Sequence, residues 1–291
     1  MNVVRISDGL GNQIFQYAFA RKLKIVTGRN VYLDTRFINN EDIKKRKEAS
    51  FVVQNADYRE YGLDKFKISI PKASETILKK WEYINKTSRL ERLLCCMNKY
   101  GFAFWRYEDE NEVSDRNIIF RKRPTYYKGY FFDLKYYEDI RGILQKELRL
   151  RKPICIKGEL KKIYNQPNTV SLHIRRGDFV RLSRDIGKRG YYQKAMKRMN
   201  ELVEQPVYMV FSDDIEWVKQ NMEFDGKCFY VSDGGLKDYE EFALMRKCKH
   251  NIIADSTFSY WAAYLNDNPD KIVICPRYWR RKIIPKEWIE V

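Results

Sequence analysis

Asn168–Asp178 reads NTVSLHIRRGD, a β-branched and apolar run that stops in two arginines, a glycine and an aspartate. Thr169–Ile174 alternates branched with smaller side chains behind Pro167, which suits a buried strand better than a helix, and Gly177 ends it. Ligands of open α/β sheets bind at the carboxyl ends of strands, so this stretch delivers His173, Arg175, Arg176 and Asp178 to such an edge. A guanidinium keeps its charge and grips two phosphate oxygens at once, where a lysine acts as a point charge. Arg175 is therefore read as a phosphate ligand. Arg176 and Asp178 fit that role or a strand-end ion pair without a ligand.

Downstream, helical and apolar patterns alternate. Helices are expected over Tyr191–Val203, Ile215–Met222, Tyr239–Cys248 and Thr257–Leu265, and strands over Val207–Phe211, Cys228–Val231, Asn251–Ala254 and Lys271–Cys275. This predicts a parallel sheet with helices on both faces. Two of these strands also end in polar groups. Ser212-Asp213-Asp214 precedes a helix that Ser212 or Asp213 is expected to cap, and paired acids alone make a poor magnesium site. Ala254-Asp255-Ser256-Thr257-Phe258 runs straight from strand into helix. The first amides and hydroxyls there can receive a diphosphate while Ser256 caps the helix.

Upstream, a strand at Val3–Ser7, the loop DGLGNQ and the helical recurrence of Ile14, Phe15, Ala18, Phe19 and Leu23 form a second ligand-binding pattern. Gly9 and Gly11 allow close backbone approach, and Asn12 and Gln13 add side-chain amides. A strand at Asn30–Asp34 ends in an acid and imitates a dinucleotide fingerprint, but Ile14 occupies the third glycine's place, which argues against nicotinamide or flavin. Pro124–Phe131 reads as a strand and Leu134–Leu150 as a helix, with Tyr130, Phe131 and Phe132 offering rings to a sugar or to the core. Ala73–Tyr107 reads as a basic, aromatic helical region and Asn39–Glu48 as a solvated charge run. Arg149–Asn168, with Pro153 and Pro167, is the natural boundary, giving domains 1–152 and 153–291. The tail Pro276–Val291, with Trp279, Arg280 and Trp288, is expected to cross back onto the first domain.

The 291 residues are 44% hydrophobic, enough for a sizeable core. No apolar run approaches the roughly 18 residues of a membrane span, and the start MNVVRISDGLGN lacks a secretory core segment, so a cytoplasmic protein is expected. The six cysteines form no CxxC pair and histidines number two, which favours buried thiols over zinc. A net charge of +17 calls for an anionic partner: a nucleotide, a nucleic acid, or an anionic membrane surface touched from the inner face. A basic RNA-binding protein, its arginines on phosphates, is the rival from another class, although no module motif matches.

The blocks GLGNQIFQYAFA, GYFFDLKYYEDI, HIRRGD, FSDDIEW and IIADSTFSYW stand in an order and spacing that resembles the α-1,2-fucosyltransferases of glycosyltransferase family 11, over nearly the whole chain. The resemblance implies a GT-B-like α/β fold, two Rossmann-type domains facing a central cleft, the first on the acceptor side and the second holding the donor nucleotide. It implies inverting transfer of L-fucose from GDP-fucose to the 2-hydroxyl of a terminal galactose in a glycan, with no cofactor, no metal and no nucleic-acid partner. By motif position the donor contacts are Gly9, Leu10, Gly11, Asn12, Gln13, His173, Arg175, Arg176, Ser256, Thr257 and Phe258. Arg175 and Asp178 are the catalytic candidates, and Tyr130 and Phe131 are candidates for the acceptor wall. No general base is singled out; Asp178 and Asp214 are the nearest. Asp255 departs from the family pattern, as does Tyr260-Trp261 in place of paired tryptophans. Another nucleotide sugar or another fucose linkage is the nearer alternative.

Overall fold

Gly9 and Gly28 set the limits of the first helix. Strand β1 (Asn2–Arg5) leads through the glycine loop into α1 (Leu10–Thr27), which closes at Gly28. Gly28 has φ 64°, a left-handed conformation open to a residue without Cβ, and its amide donates to the Lys24 carbonyl. The computed structural model describes residues 1–38, 60–81, 93, 106–109, 124–154, 156, 158–177, 190–277 and 281–291. The chain divides into Met1–Ala49 with Tyr58–Asp64 and Ile68–Ile140, and Ser50–Asp57 with Lys65–Lys67 and Arg141–Val291.

The first unit continues with β2 (Val31–Asp34), the short helix α2 (Glu75–Lys79), β3 (Arg106–Asp109) and β4 (Thr125–Lys128). Its four strands are all parallel, in the order β2-β1-β4-β3. The predicted apolar face of α1 is fully buried. Phe19 stacks on Phe131 at 3.7 Å and meets Tyr127 and Tyr136 edge-on, while Phe15 meets Phe132 and Tyr137. Trp81 packs with Val3, Leu78 and Tyr126 in another cluster of this unit.

The expected helix Leu134–Leu150 is instead two 3-10 turns, Leu134–Tyr136 and Glu138–Ile140, followed by α3 (Arg141–Glu147). The second unit begins at Arg141 rather than at residue 153. The reason is polar anchoring: Arg246 donates to the carbonyls of Leu148 and Gln145 at 3.1 and 2.8 Å. Lys65–Lys67 joins this unit too, with the Lys67 amide bonded to the Arg149 carbonyl and that of Arg151 to Lys65.

After α4 (Gly158–Tyr164), the second unit alternates β5 (Thr169–Ile174), α5 (Tyr191–Leu202), β6 (Val207–Ser212), α6 (Ile215–Asn221), β7 (Lys227–Tyr230), α7 (Asp238–Lys247), β8 (His250–Ile252), α8 (Thr257–Tyr264), β9 (Val273–Cys275) and β10 (Ile289–Glu290). Its six strands are parallel, in the order β10-β9-β8-β5-β6-β7. Every residue of β5 and β6 is buried, as central strands covered on both faces require. The strand β10 was not expected, because two residues are too short to show a period. It ties the tail to its own sheet: the Val291 amide donates to the Cys275 carbonyl at 3.1 Å, and Trp288 lies 5.2 Å from Tyr260. The described part of the tail therefore belongs to the second unit.

Trp279 and Arg280, Asn39–Glu48, most of Ala73–Tyr107, and Cys95, Cys96 and Cys155 lie outside the described residues. The other three cysteines are free thiols, and burial pushes Cys248 and Cys275 up to about 12. Among the described residues no helix is long and apolar enough to cross a membrane.

Beneath α7 and α8 lies a buried amide cluster. The Asn251 amide donates to Ser171 Oγ at 2.6 Å and to the Met245 carbonyl, and that of Asn266 donates to Asn251 Oδ1 and to the Cys248 carbonyl. Removing the central member leaves several buried polar atoms unsatisfied, each expensive in a low dielectric. Asn251→Ala is therefore expected to lower the unfolding free energy by about 2–4 kcal/mol, measured by urea denaturation. Wild-type stability in this variant would contradict the role given to the cluster.

Candidate active site

The second sheet reverses direction at β5: the chain leaves through α5 to β6 and β7, then returns through α7 to β8 on the other side of β5. A crevice opens outside the carboxyl ends of strands where connections part in this way. Because β8, β5 and β6 are parallel neighbours, their carboxyl ends bring His173–Gly177, Ser212–Asp214 and Ala254–Phe258 to one edge. These are the three strand ends that the sequence marks out.

At that edge the arginines divide. Arg176 is buried, with its guanidinium 3.4 Å from the Trp217 ring centroid and its Nε donating to Asp214 Oδ2 at 3.1 Å. The expected donor contact is thus a packed, paired side chain that fixes α6 to the end of β5. Arg175 is partly exposed, and its guanidinium pairs with Asp213 Oδ2 at 2.8 Å. Asp214, not Ser212 or Asp213, caps α6, accepting from the Trp217 amide at 3.4 Å. Both Asp214 oxygens are therefore engaged, which argues against this residue as a general base. Asp178 lies outside the described residues.

His173 is 6% exposed, and its ring centroid is 5.7 Å from that of Phe258. Burial, and then the Arg175 charge, pull its pKa down to about 3. It is an uncharged imidazole at working pH, and its Nδ1 makes no hydrogen bond among the described residues. Ser256 caps α8, its Oγ accepting from the Phe258 amide at 3.3 Å. Ser256, Thr257 and Phe258 are all half-buried, which leaves the start of α8 accessible.

Glu241 was not foreseen. Adjacent Glu240 bonds back to the Lys237 amide at the start of α7, while Glu241 turns inward to hydrogen-bond with Ser232. Burial, with Asp238 and Asp213 nearby, raises its carboxyl to about 7 against the pull of Ser232. The sequence shows only an acid pair in a first helical turn, where either member fits a capping role.

In the first unit the glycine loop follows β1, the strand flanked by β2 and β4. Gly9 is the N-cap, its carbonyl accepting from the amides of Asn12 and Gln13, and Leu10 and Gly11 are buried. Gln13 is fully buried: its Nε2 donates to the carbonyls of Asp8 and Glu60, and its Oε1 accepts from the Gly62 amide. The expected donor contact is thus an internal brace. Gln16, which no motif singles out, does the same, with Oε1 accepting from Ser7 N and Nε2 donating to the Gly129 carbonyl. Asn12 remains half-exposed.

Phe131 is 1% exposed and stacked on Phe19, so it offers no face to an acceptor sugar. Tyr130 is 39% exposed, lies parallel to Phe132 and donates its hydroxyl to Asp8 at 2.5 Å. Asp34, the acid of the imitation fingerprint, is buried against Arg36 and the Tyr126 hydroxyl.

A parallel α/β sheet with a guanidinium and an accessible helix start at its point of reversal is chemically suited to hold a phosphate-bearing substrate. The model of Glycosyl transferase family 11 matches residues 1–288, and the chain belongs to that family. It is 30% identical to the O-antigen biosynthesis glycosyltransferase WbnK of Escherichia coli, over 98% of this chain and 99% of that one. It is 27% identical to an alpha-1,2-colitosyltransferase of Escherichia coli, over 99% and 98%. The structure of NodZ alpha-1,6-fucosyltransferase soaked with GDP-fucose matches 91% of each chain with a TM-score of 0.50 at 13% identity, a likeness of GT-B-like fold.

The raised carboxyl of Glu241 has a measurable consequence. Between pH 4.5 and about 7 the folded state keeps a proton that the unfolded state has lost, so this group's contribution falls as pH rises through that window. Glu241→Gln has no such titration. Its stability relative to wild type is expected to grow from pH 4.5 to pH 7, by at most about 3 kcal/mol and less where water screens the group. A pH-independent difference in melting temperature between the two proteins would refute the assignment.

Proposed function

We propose that the protein transfers L-fucose, with inversion, from GDP-fucose to the 2-hydroxyl of a terminal galactose in a glycan. The observation that carries this reading is the Arg175 guanidinium at the end of β5, beside the strand that leads into α8, in a chain that matches family 11 over residues 1–288. As the bond from the anomeric carbon to the diphosphate breaks, positive charge grows on the sugar ring and negative charge on the departing GDP. Arg175 and the first amides of α8 stabilise the latter. The acceptor hydroxyl attacks from the opposite face, which inverts the anomeric centre. A strongly dissociative transition state needs little general-base help, and no base is assigned.

His173, Ser256, Thr257 and Phe258 are the further donor contacts in the second unit, with Gly9–Asn12 as the loop of the first and Tyr130 as its acceptor-side ring. The likeness to an alpha-1,2-colitosyltransferase supports the α-1,2 linkage and also favours a second reading of the donor. Colitose is fucose without its 3-hydroxyl, and the two are separated by a single polar contact.

The deciding experiment incubates the protein with GDP-fucose or GDP-colitose and a panel of galactosides, with linkage assigned by NMR. An α-1,2-fucosylated galactoside is expected. Another linkage, or transfer from neither donor, would overturn the proposal. Arg175→Ala is expected to reduce turnover roughly a hundredfold or more, and a near-normal rate would remove that residue from the mechanism. Because the guanidinium supplies the positive charge, transfer is also expected to continue in EDTA; a loss reversed by added magnesium or manganese would contradict this.

A further inference from the structure

We infer that Asp213 is a positioning residue, holding Arg175 in place for the donor diphosphate, and that Gly177 is glycine because its missing Cβ makes room for that carboxylate. The inference rests on the donor reading above. Asp213 Oδ1 accepts from the Arg176 backbone amide at 2.8 Å, and Oδ2 pairs with the Arg175 guanidinium at 2.8 Å. One oxygen is thus fixed to the backbone at the end of β5, which sets where the other meets the side chain of the preceding residue. Asp213 is not needed as a helix cap, since Asp214 caps α6.

A carboxylate near a diphosphate repels it, so in isolation it weakens donor binding. Its place at this edge makes physical sense through Arg175, because a side chain already held in place loses less freedom when the donor arrives. Gly177 supplies an independent observation. A Cβ built there would lie 2.5 Å from Asp213 Oδ2, a distance real Cβ atoms essentially never show. Its φ is outside the left-handed region, so space and not backbone conformation calls for glycine.

The test is a double-mutant cycle of Asp213→Asn with Arg175→Ala, read on GDP-fucose turnover and on GDP affinity by calorimetry. Asparagine keeps an acceptor for the Arg176 amide and removes the charge that faces Arg175. Asp213→Asn alone is expected to lower turnover about tenfold or more, and the double variant to match Arg175→Ala within about twofold, since residues acting as a unit are non-additive. A residue that merely stabilises the fold would lower both backgrounds by the same factor, and that result would overturn the inference. So would an Asp213→Asn enzyme within twofold of wild type. Gly177→Ala, which leaves both charged groups in place, carries the same cycle if the asparagine variant does not fold. It too should lose its effect once Arg175 is absent. A wild-type protein that binds GDP but transfers no fucose contradicts the functional reading alone, and the cycle in GDP affinity then decides this one. A wild-type protein that does not bind GDP overturns both.

Discussion

The register between β5 and β6 decides where the charges of the second unit fall. The two strands pair in parallel from Thr169 with Val207 to Ile174 with Ser212, so both end at the same level. Arg175 and Arg176 therefore leave the sheet beside Asp213 and Asp214. A slip of one residue would turn every side chain of β5 to the opposite face, so that both of its packed faces would have to be rebuilt against the covering helices. With both strands wholly buried, that slip is strongly disfavoured. Hydrophobic packing several residues away thus fixes the electrostatics of the edge.

Two arginines and two aspartates in sequence form a sorted set in space because neighbouring residues at a strand end point in different directions. Arg176 turns inward onto Trp217 and Asp214, where a planar guanidinium can stack and pair at once. Arg175 remains partly exposed against Asp213. The HIRRGD block therefore combines two functions in adjacent residues: one arginine secures a helix to the strand end, and the other offers charge to the crevice.

Much of this was legible from the sequence, and the misses share a cause. The strand Thr169–Ile174 and the helix starting at Thr257 have the predicted limits because a buried run and an N-cap serine are local signals. Gln13, Phe131 and Arg176 lie in motifs that point to a ligand, yet their side chains face inward. A motif shows that a position is constrained but not in which direction its side chain points. Asp214 caps α6 where Ser212 or Asp213 was expected for a related reason, since either of two adjacent acids fits the capping pattern. The strand β10 depends on pairing with β9, across a stretch of chain over which periodicity carries no information.

The glycine loop shows the same division of labour. Asp8 has φ 64°, uncommon for any residue other than glycine, and aspartate is among the side chains that tolerate it. Tyr130 holds its carboxylate from one side, while Gln13 takes up its carbonyl and that of Glu60. Gln16 fixes the Ser7 amide and the Gly129 carbonyl, tying together the segments that follow β1 and β4. Polar side chains buried in this way satisfy one another, so they hold the loop without contributing to an external ligand. In the GLGNQ loop Asn12 is the polar side chain that stays half-exposed. In both units buried polar side chains thus fix the segments at the carboxyl ends of the strands, which is how a sheet edge keeps its geometry.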